Sequence, residues 1–410
     1  MSSSTRLSLL LLAGALALGA CSKEKEIEKP AELVDITTTL RVDRLWSAGV
    51  GGGKEELRLG LGVAAEGKRV FAAGYDGDVV AFDLQSGRTL WRTDTKAPLS
   101  GGTGAAQGLV AVGSTEGEII LLSQADGVIR WRIRVNGEVL AAPAISAASV
   151  IVRTVDGRLR GLALDDGREL WSLEQPVPRL SLRGTAAPVV AGDVAVCGFD
   201  NGKVAAVSVT DGEVRWEATI SSARGRTELE RMNDIDSTVQ VLGQDVLVVG
   251  FQGRAAMLAL DSGQVWWSRE LSSYRGLAAD DTAVYVATAD GDIVALQRRT
   301  GVELWRQDAL KRRGIAAPAI LRGALAVADF DGVVHWLNSA TGAFVARGSA
   351  GGRVSNPPLV VDGTLLIIDD AGKITAFRPR EIAAAAPAAT AEPAAAPEPA
   401  AAPAPPPPAG

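Results

Sequence analysis

The sequence predicts an all-β protein, an eight-bladed β-propeller of four-stranded antiparallel blades whose ring is closed by an N-terminal strand. Three observations carry this reading: a glycine-to-tryptophan repeat, a series of eight hairpin turns, and two ends of the repetitive region that are each incomplete in a complementary way.

The repeat is a glycine followed four residues later by tryptophan, at Gly87/Trp91, Gly127/Trp131, Gly167/Trp171, Gly212/Trp216, Gly263/Trp267 and Gly301/Trp305. Gly342 begins a seventh copy in which Ala346 stands where the Trp would be. The spacing between copies is about 40 residues, the length of a four-stranded blade. Within a copy, apolar runs alternate with tight turns: Val70-Phe71-Ala72-Ala73, Asp76-Gly77, Val79-Val80-Ala81-Phe82, Ser86-Gly87, then Thr89-Leu90-Trp91. Such runs joined by Asp-Gly or Ser-Gly read as hairpins, because these residues accept the positive φ of primed turns.

The hairpin turns give the blade number. They fall at Asp76-Gly77, Glu116-Gly117, Asp156-Gly157, Asn201-Gly202, Gln252-Gly253, Asp290-Gly291, Asp331-Gly332 and Ala371-Gly372, which is eight. Ala141-Ala142-Pro143, Ala186-Ala187-Pro188 and Ala316-Ala317-Pro318 are expected in the innermost strands, where small side chains suit a crowded axis. The last hairpin, Leu365–Phe377, lacks an outer strand, whereas Arg41–Ala48 carries Trp46 and no hairpin. Pairing the two closes the ring and removes exposed sheet edges.

The one-per-blade tryptophans are expected to pack between blades; Trp266 and Trp336 fall outside the pattern. His335, the only histidine, lies in a strand-like run and reads as structural. The Asp-Gly pairs lack the spacing of a calcium loop, and no zinc set or Ser-His-Asp signature stands out. No cofactor is expected. A net charge of −6 without a basic cluster disfavours nucleic acid as a partner.

Four regions follow: a signal peptide over 1–20, a tether over 21–33, the propeller over 34–380 and an Ala/Pro-rich tail over 381–410 expected to be disordered. The first has Arg6, an apolar run from Leu7 to Leu18, and small residues before the cleavage point. Leu18-Gly19-Ala20-Cys21 resembles the bacterial lipobox. That resemblance implies acylation of Cys21 and, with Ser22 next to it, an outer-membrane anchor facing the periplasm. Cys197 then remains without a disulfide partner, in a run that reads as a buried strand.

The propeller repeat, covering most of Trp46–Phe377, resembles that of pyrroloquinoline-quinone enzymes, but the chain has no vicinal Cys-Cys pair of the kind those enzymes use. Lipobox, short tether and eight such blades together resemble the outer-membrane protein assembly factor B family, the propeller lipoprotein of the β-barrel assembly machinery. Two loops carry the closest motif match: 176–184, Pro-Val-Pro-Arg-Leu-Ser-Leu-Arg-Gly, and 228–236, Glu-Leu-Glu-Arg-Met-Asn-Asp-Ile-Asp. The resemblance implies a non-catalytic scaffold that binds the central barrel-assembly protein, with nascent outer-membrane β-barrel proteins as further partners. It points to Leu180, Leu182, Arg183, Asp234 and Asp236 as the contact residues. Read without the resemblance, both loops follow an outer strand and emerge on one face from adjacent blades. The residues then suggest an apolar pair with a charged rim. A lipid-anchored quinoprotein dehydrogenase and a cell-wall or glycan-binding lipoprotein are the rival functions, the latter marked by exposed Trp residues outside the repeat positions.

Overall fold

The structure is a computed structural model that describes residues 28–51, 59–182, 184–222 and 225–381. The signal peptide, Cys21, Arg183 and the Ala/Pro tail after Glu381 lie outside these residues, while Glu381 itself ends a strand. Among the described residues every regular element is a strand, and the strands form eight four-stranded antiparallel sheets. Blades 1 to 7 occupy 64–94, 99–134, 144–174, 189–219, 240–270, 277–307 and 319–349. In blade 8, three strands over 359–381 are completed on the outside by Leu40–Gly49. That strand pairs antiparallel with Lys373–Glu381, Arg41 facing Arg380 and Ala48 facing Ile374. The N-terminal strand therefore closes the ring, as the unequal ends of the repeat require.

The predicted turns join the second and third strands of each blade, and their glycines have positive φ in seven of the eight; in the turn of blade 5 it is Gln252, before Gly253, at +46°. The three Ala-Ala-Pro segments are displaced slightly from expectation. They end one residue before the inner strands Ala144–Ile145, Val189–Ala191 and Ala319–Leu321, as the approach to each strand. Proline there leaves the short strand's own N–H groups free for the ladder.

The hydrophobic core is divided among the junctions. Eight apolar clusters each combine residues of two adjacent blades. The repeated tryptophans sit at these junctions and make a second, directional contact. The indole N–H of Trp46, Trp91, Trp131, Trp171, Trp216, Trp267 and Trp305 donates to a carbonyl just past the third strand of the next blade, at 2.7–3.2 Å. The repeat glycine explains itself at the same place. Each packs on the indole of the preceding blade; at Gly301, with φ +65°, a Cβ would lie 2.6 Å from a Trp267 ring carbon. Glycine is required there both for the turn and for the close approach.

Blade 7 shows how the missing tryptophan is replaced. Trp336 on its third strand faces Ala346 on its outer strand, whereas blades 1, 3 and 6 pair a small residue with Trp: Ala81 with Trp91, Gly161 with Trp171, Ala295 with Trp305. The large and small partners have exchanged strands. Trp336 is fully buried, and Leu40 and Val42 pack on its cluster at the junction with blade 8. Trp266 has a different origin. Register slips by one residue beside each Trp pair, and the skipped residue is pushed outward: Leu90, Leu170, Trp266 and Leu304. Trp266, 55% exposed, thus occupies a bulge position that other blades fill with leucine.

Neighbouring tryptophans in one strand should therefore differ sharply. Trp267→Ala should lower unfolding free energy by about 3–5 kcal/mol, whereas Trp266→Ala should stay within about 0.5 kcal/mol of wild type. Denaturant unfolding of the two variants checks this; similar losses for both would remove the junction clamp as an explanation.

Candidate protein-binding face

In each blade the second-to-third turn and the outgoing connection to the next inner strand lie on one face, called here the connection face. The two candidate loops are such connections, from blade 3 to 4 and from blade 4 to 5. The structure brings them together. Asp234 Oδ2 accepts the backbone N–H of Leu182, and Gly184 lies against the side chain of Asp236. Leu182, Gly184 and Asp236 also line the mouth of a funnel of about 510 Å3 over the propeller axis, with Thr185, Ser237 and Arg275.

Not every predicted residue sits as the sequence suggested. Leu180 is 41% exposed and Leu182 half-buried. Arg183 lies outside the described residues. The two carboxylates do not form a solvated rim: Asp234 is fully buried, and both Asp236 carboxyl oxygens are shielded from solvent. The cause is the segment they belong to, which is packed as a plug between blades 4 and 5. Met232, Asn233 and Ile235 are buried; Ile235 N–H donates to Phe199 O at 3.2 Å, and Phe251 N–H donates to Asp234 O at 2.8 Å. Ile235 presses on Gly198, where any Cβ would come within 2.4 Å of it.

Below the loops lies a buried ionic layer that motif reading missed. Arg153 on the second strand of blade 3 pairs with Asp200 at 3.1 Å and stacks over Phe199 at 4.8 Å. Its only sequence signal is an arginine directly after the apolar run Val150-Ile151-Val152 in the strand Ser149–Arg153. Burial raises the Asp200 carboxyl despite Arg153. Burial, helped by Asp200, pushes Asp234 up to about 6 against the Leu182 N–H that favours its charged form. Burial and the charges of Asp234 and Asp200 hold Asp236 well above the usual carboxylate range. Asp234 Oδ1 and both Asp236 oxygens have no hydrogen-bond partner among the described residues. Cys197, adjacent in the blade 4 core, is fully buried and its thiol is pushed up to about 12, which leaves it inert.

The comparisons with known proteins agree with this architecture. The family profile described as outer membrane protein assembly factor BamB matches residues 39–96, 75–307 and 289–381. The chain belongs to the BamB family. BamB of Pseudomonas aeruginosa is 41% identical over 374 residues, covering 90% of this chain and 98% of that protein. The crystal structure of BamB from Moraxella catarrhalis superposes with a TM-score of 0.77 at 28% identity, over 82% of this chain and all of that one. A quinohemoprotein alcohol dehydrogenase from Comamonas testosteroni shares the fold, with a TM-score of 0.64 at 11% identity over 82% of this chain and 76% of that one.

The buried carboxyls have an unusual pH signature. Their folded-state affinity for protons exceeds that of the unfolded chain, so the stability they contribute is present at low pH and lost as pH rises; for Asp234 it is present below about pH 4 and lost as pH rises through about 6. Asp234→Asn should therefore stabilise the protein at pH 7.5 by about 1–3 kcal/mol, and by much less at pH 5. Thermal unfolding at the two pH values checks this; a variant destabilised equally at both would show that the charged form is the one the fold holds.

Proposed function

We propose that this chain is a non-catalytic scaffold lipoprotein, anchored through Cys21 to the outer membrane on its periplasmic side. There it binds the central barrel-assembly protein and assists folding and insertion of β-barrel proteins. One observation carries the reading: within a member of the BamB family, two motif-bearing loops from adjacent blades are tied together on one face by the Leu182–Asp234 hydrogen bond. The buried geometry divides the roles. Leu180, Leu182 and Arg183 are the contact residues, an apolar pair next to a cation, the composition favoured at the centre of interfaces. Asp234 ties the two loops together beneath them through the Leu182 N–H, and Asp236 packs beside Gly184.

This division predicts how the partner is lost. Leu180→Ala with Leu182→Ala should weaken capture of the barrel-assembly protein by 2 kcal/mol or more, roughly thirtyfold, while leaving the propeller folded. Arg183→Glu should act through charge and show strong dependence on ionic strength, which the leucine variants should not. Affinity isolation from mild-detergent extracts measures both. Wild-type capture by a folded triple variant would remove the patch, and isolation of wall fragments or a quinone cofactor in place of assembly components would overturn the scaffold reading.

The anchor is tested separately. Cys21→Ser should abolish incorporation of labelled fatty acid and release the protein from the membrane fraction; a variant that stays labelled and bound shows the lipobox assignment to be wrong.

A further inference from the structure

The segment preceding the closing strand is seated on blade 7. Glu28 forms an ion pair with Arg312. Ala31 is held twice: its N–H donates to Lys311 O at 3.0 Å, and its carbonyl accepts from Arg313 Nη1 at 3.1 Å. Val34 O accepts from Arg347 Nη1 at 2.6 Å, and Thr39 N–H donates to Val345 O at 2.9 Å. Lys311, Arg312 and Arg313 belong to the connection from blade 6 to blade 7, on the connection face; Arg347 and Val345 lie along the blade 7 outer strand, Phe344–Ser349. The chain therefore enters at the connection face, runs down the edge of blade 7 to the opposite face, and turns back there as Leu40–Gly49.

The seat is built independently of the segment it receives. Asp329, fully buried, takes Arg313 Nε at 2.8 Å and His335 Nε2 at 3.0 Å on one carboxylate oxygen. Asp331 takes Arg313 Nη2 at 2.6 Å, and Arg347 Nε donates to His335 Nδ1 at 3.3 Å. Arg313 lies over Phe330 and Arg347 over Phe344. Both guanidinium groups are thus oriented by blade 7 itself, and the Nη1 of each meets a carbonyl of the incoming chain. Such preorganisation reduces the ordering cost of docking. It also gives the only histidine of the sequence a role.

We propose that 28–39 is a strap that carries the membrane anchor to the connection face, so that the loops bearing Leu180, Leu182, Asp234 and Asp236 are turned toward the bilayer. The inference rests on acylation of Cys21. From Glu28 back to Cys21 is seven residues (28 − 21), a span of at most about 25 Å, leaving from the connection face. Unseated, the chain would leave from Leu40 on the opposite face with 19 residues (40 − 21), up to about 65 Å of slack. The strap shortens the tether and selects the face from which it departs.

The test uses the full-length lipoprotein in phospholipid vesicles containing a headgroup-linked quencher, with a fluorophore on Glu228→Cys at the connection face or on Asp166→Cys at the opposite face. Buried Cys197 does not compete for label. The Glu228→Cys label should be quenched several-fold more than the Asp166→Cys label, and Arg312→Glu combined with Arg347→Ala should abolish the difference. Hydrogen exchange reads the strap without lipid: the Ala31 and Thr39 amides should be protected in wild type and exchange freely in that variant. Arg312→Glu alone, which leaves the His335 network intact, should give an intermediate result. Equal quenching at both positions of vesicle-bound wild type overturns the orientation, and unprotected Ala31 and Thr39 amides overturn the strap. A wild-type chain that fails to float with vesicles overturns the anchoring reading instead, while the exchange measurement still judges the strap.

Discussion

The contact on which the ring depends is the indole laid across each blade junction. A four-stranded blade buries only one face against each neighbour, so a propeller has no central core and its stability is the sum of its junctions. The tryptophan supplies apolar area to that junction and, through its N–H, one fixed point of register with the next blade. The glycine opposite it completes the fit. Gly301 belongs to blade 6 in sequence, yet it packs against Trp267 of blade 5. The motif that looks like a local spacing of glycine and tryptophan is therefore a chain of contacts passed from blade to blade. Where it is broken, at Ala346, the volume is restored from the other strand by Trp336, and the closing strand adds Leu40 and Val42.

A rigid ring lets a site be assembled from loops that are distant in sequence. Leu182 and Asp234 are separated by a whole blade, and they meet because blades 3, 4 and 5 fix where their connections start and end. The meeting is costly. It places Asp234 and Asp236 away from water, next to Asp200, with a single arginine, Arg153, among the described groups that oppose their repulsion. Buried carboxyls of this kind lower stability at neutral pH, and residues that break the rules of core composition are expected where function constrains the chain.

The fold was legible because its signals are local and repeated. Turn pairs such as Asp76-Gly77 announce themselves by backbone chemistry, and the mismatch between Trp46 and the bare hairpin Leu365–Phe377 announces closure by what each end lacks. The site was legible only in part. That the two loops share a face followed from counting strands. That Asp234 is interior did not, because its burial comes with Ile235 inserting between blades 4 and 5, a packing decision invisible in an acidic-looking run. Trp266 and Trp336 were opaque for a related reason. Their positions are set by cross-strand register, a bulge in one case and a Trp-for-Ala exchange in the other, and register is not written in spacing along the chain.

The same ring is shared with a quinohemoprotein alcohol dehydrogenase at 11% identity, which separates what the ring imposes from what it leaves free. Strand pairing and junction packing require apolar side chains of complementary size inside each blade, as the Trp336–Ala346 exchange shows. The connections from outer to inner strands are released from those constraints. They begin at the rim, cross one face, and end at the axis, so neighbouring connections necessarily converge toward the funnel mouth. In this chain the convergence is stiffened by the plug around Ile235 and the Leu182–Asp234 bond. The strap is built on the same connection face and uses the same logic, since Arg313 is locked by Asp329 inside blade 7 before it reaches Ala31. A propeller thus concentrates its adaptable surface on one side, and this sequence places both its candidate partner loops and the seat of its N-terminal segment there.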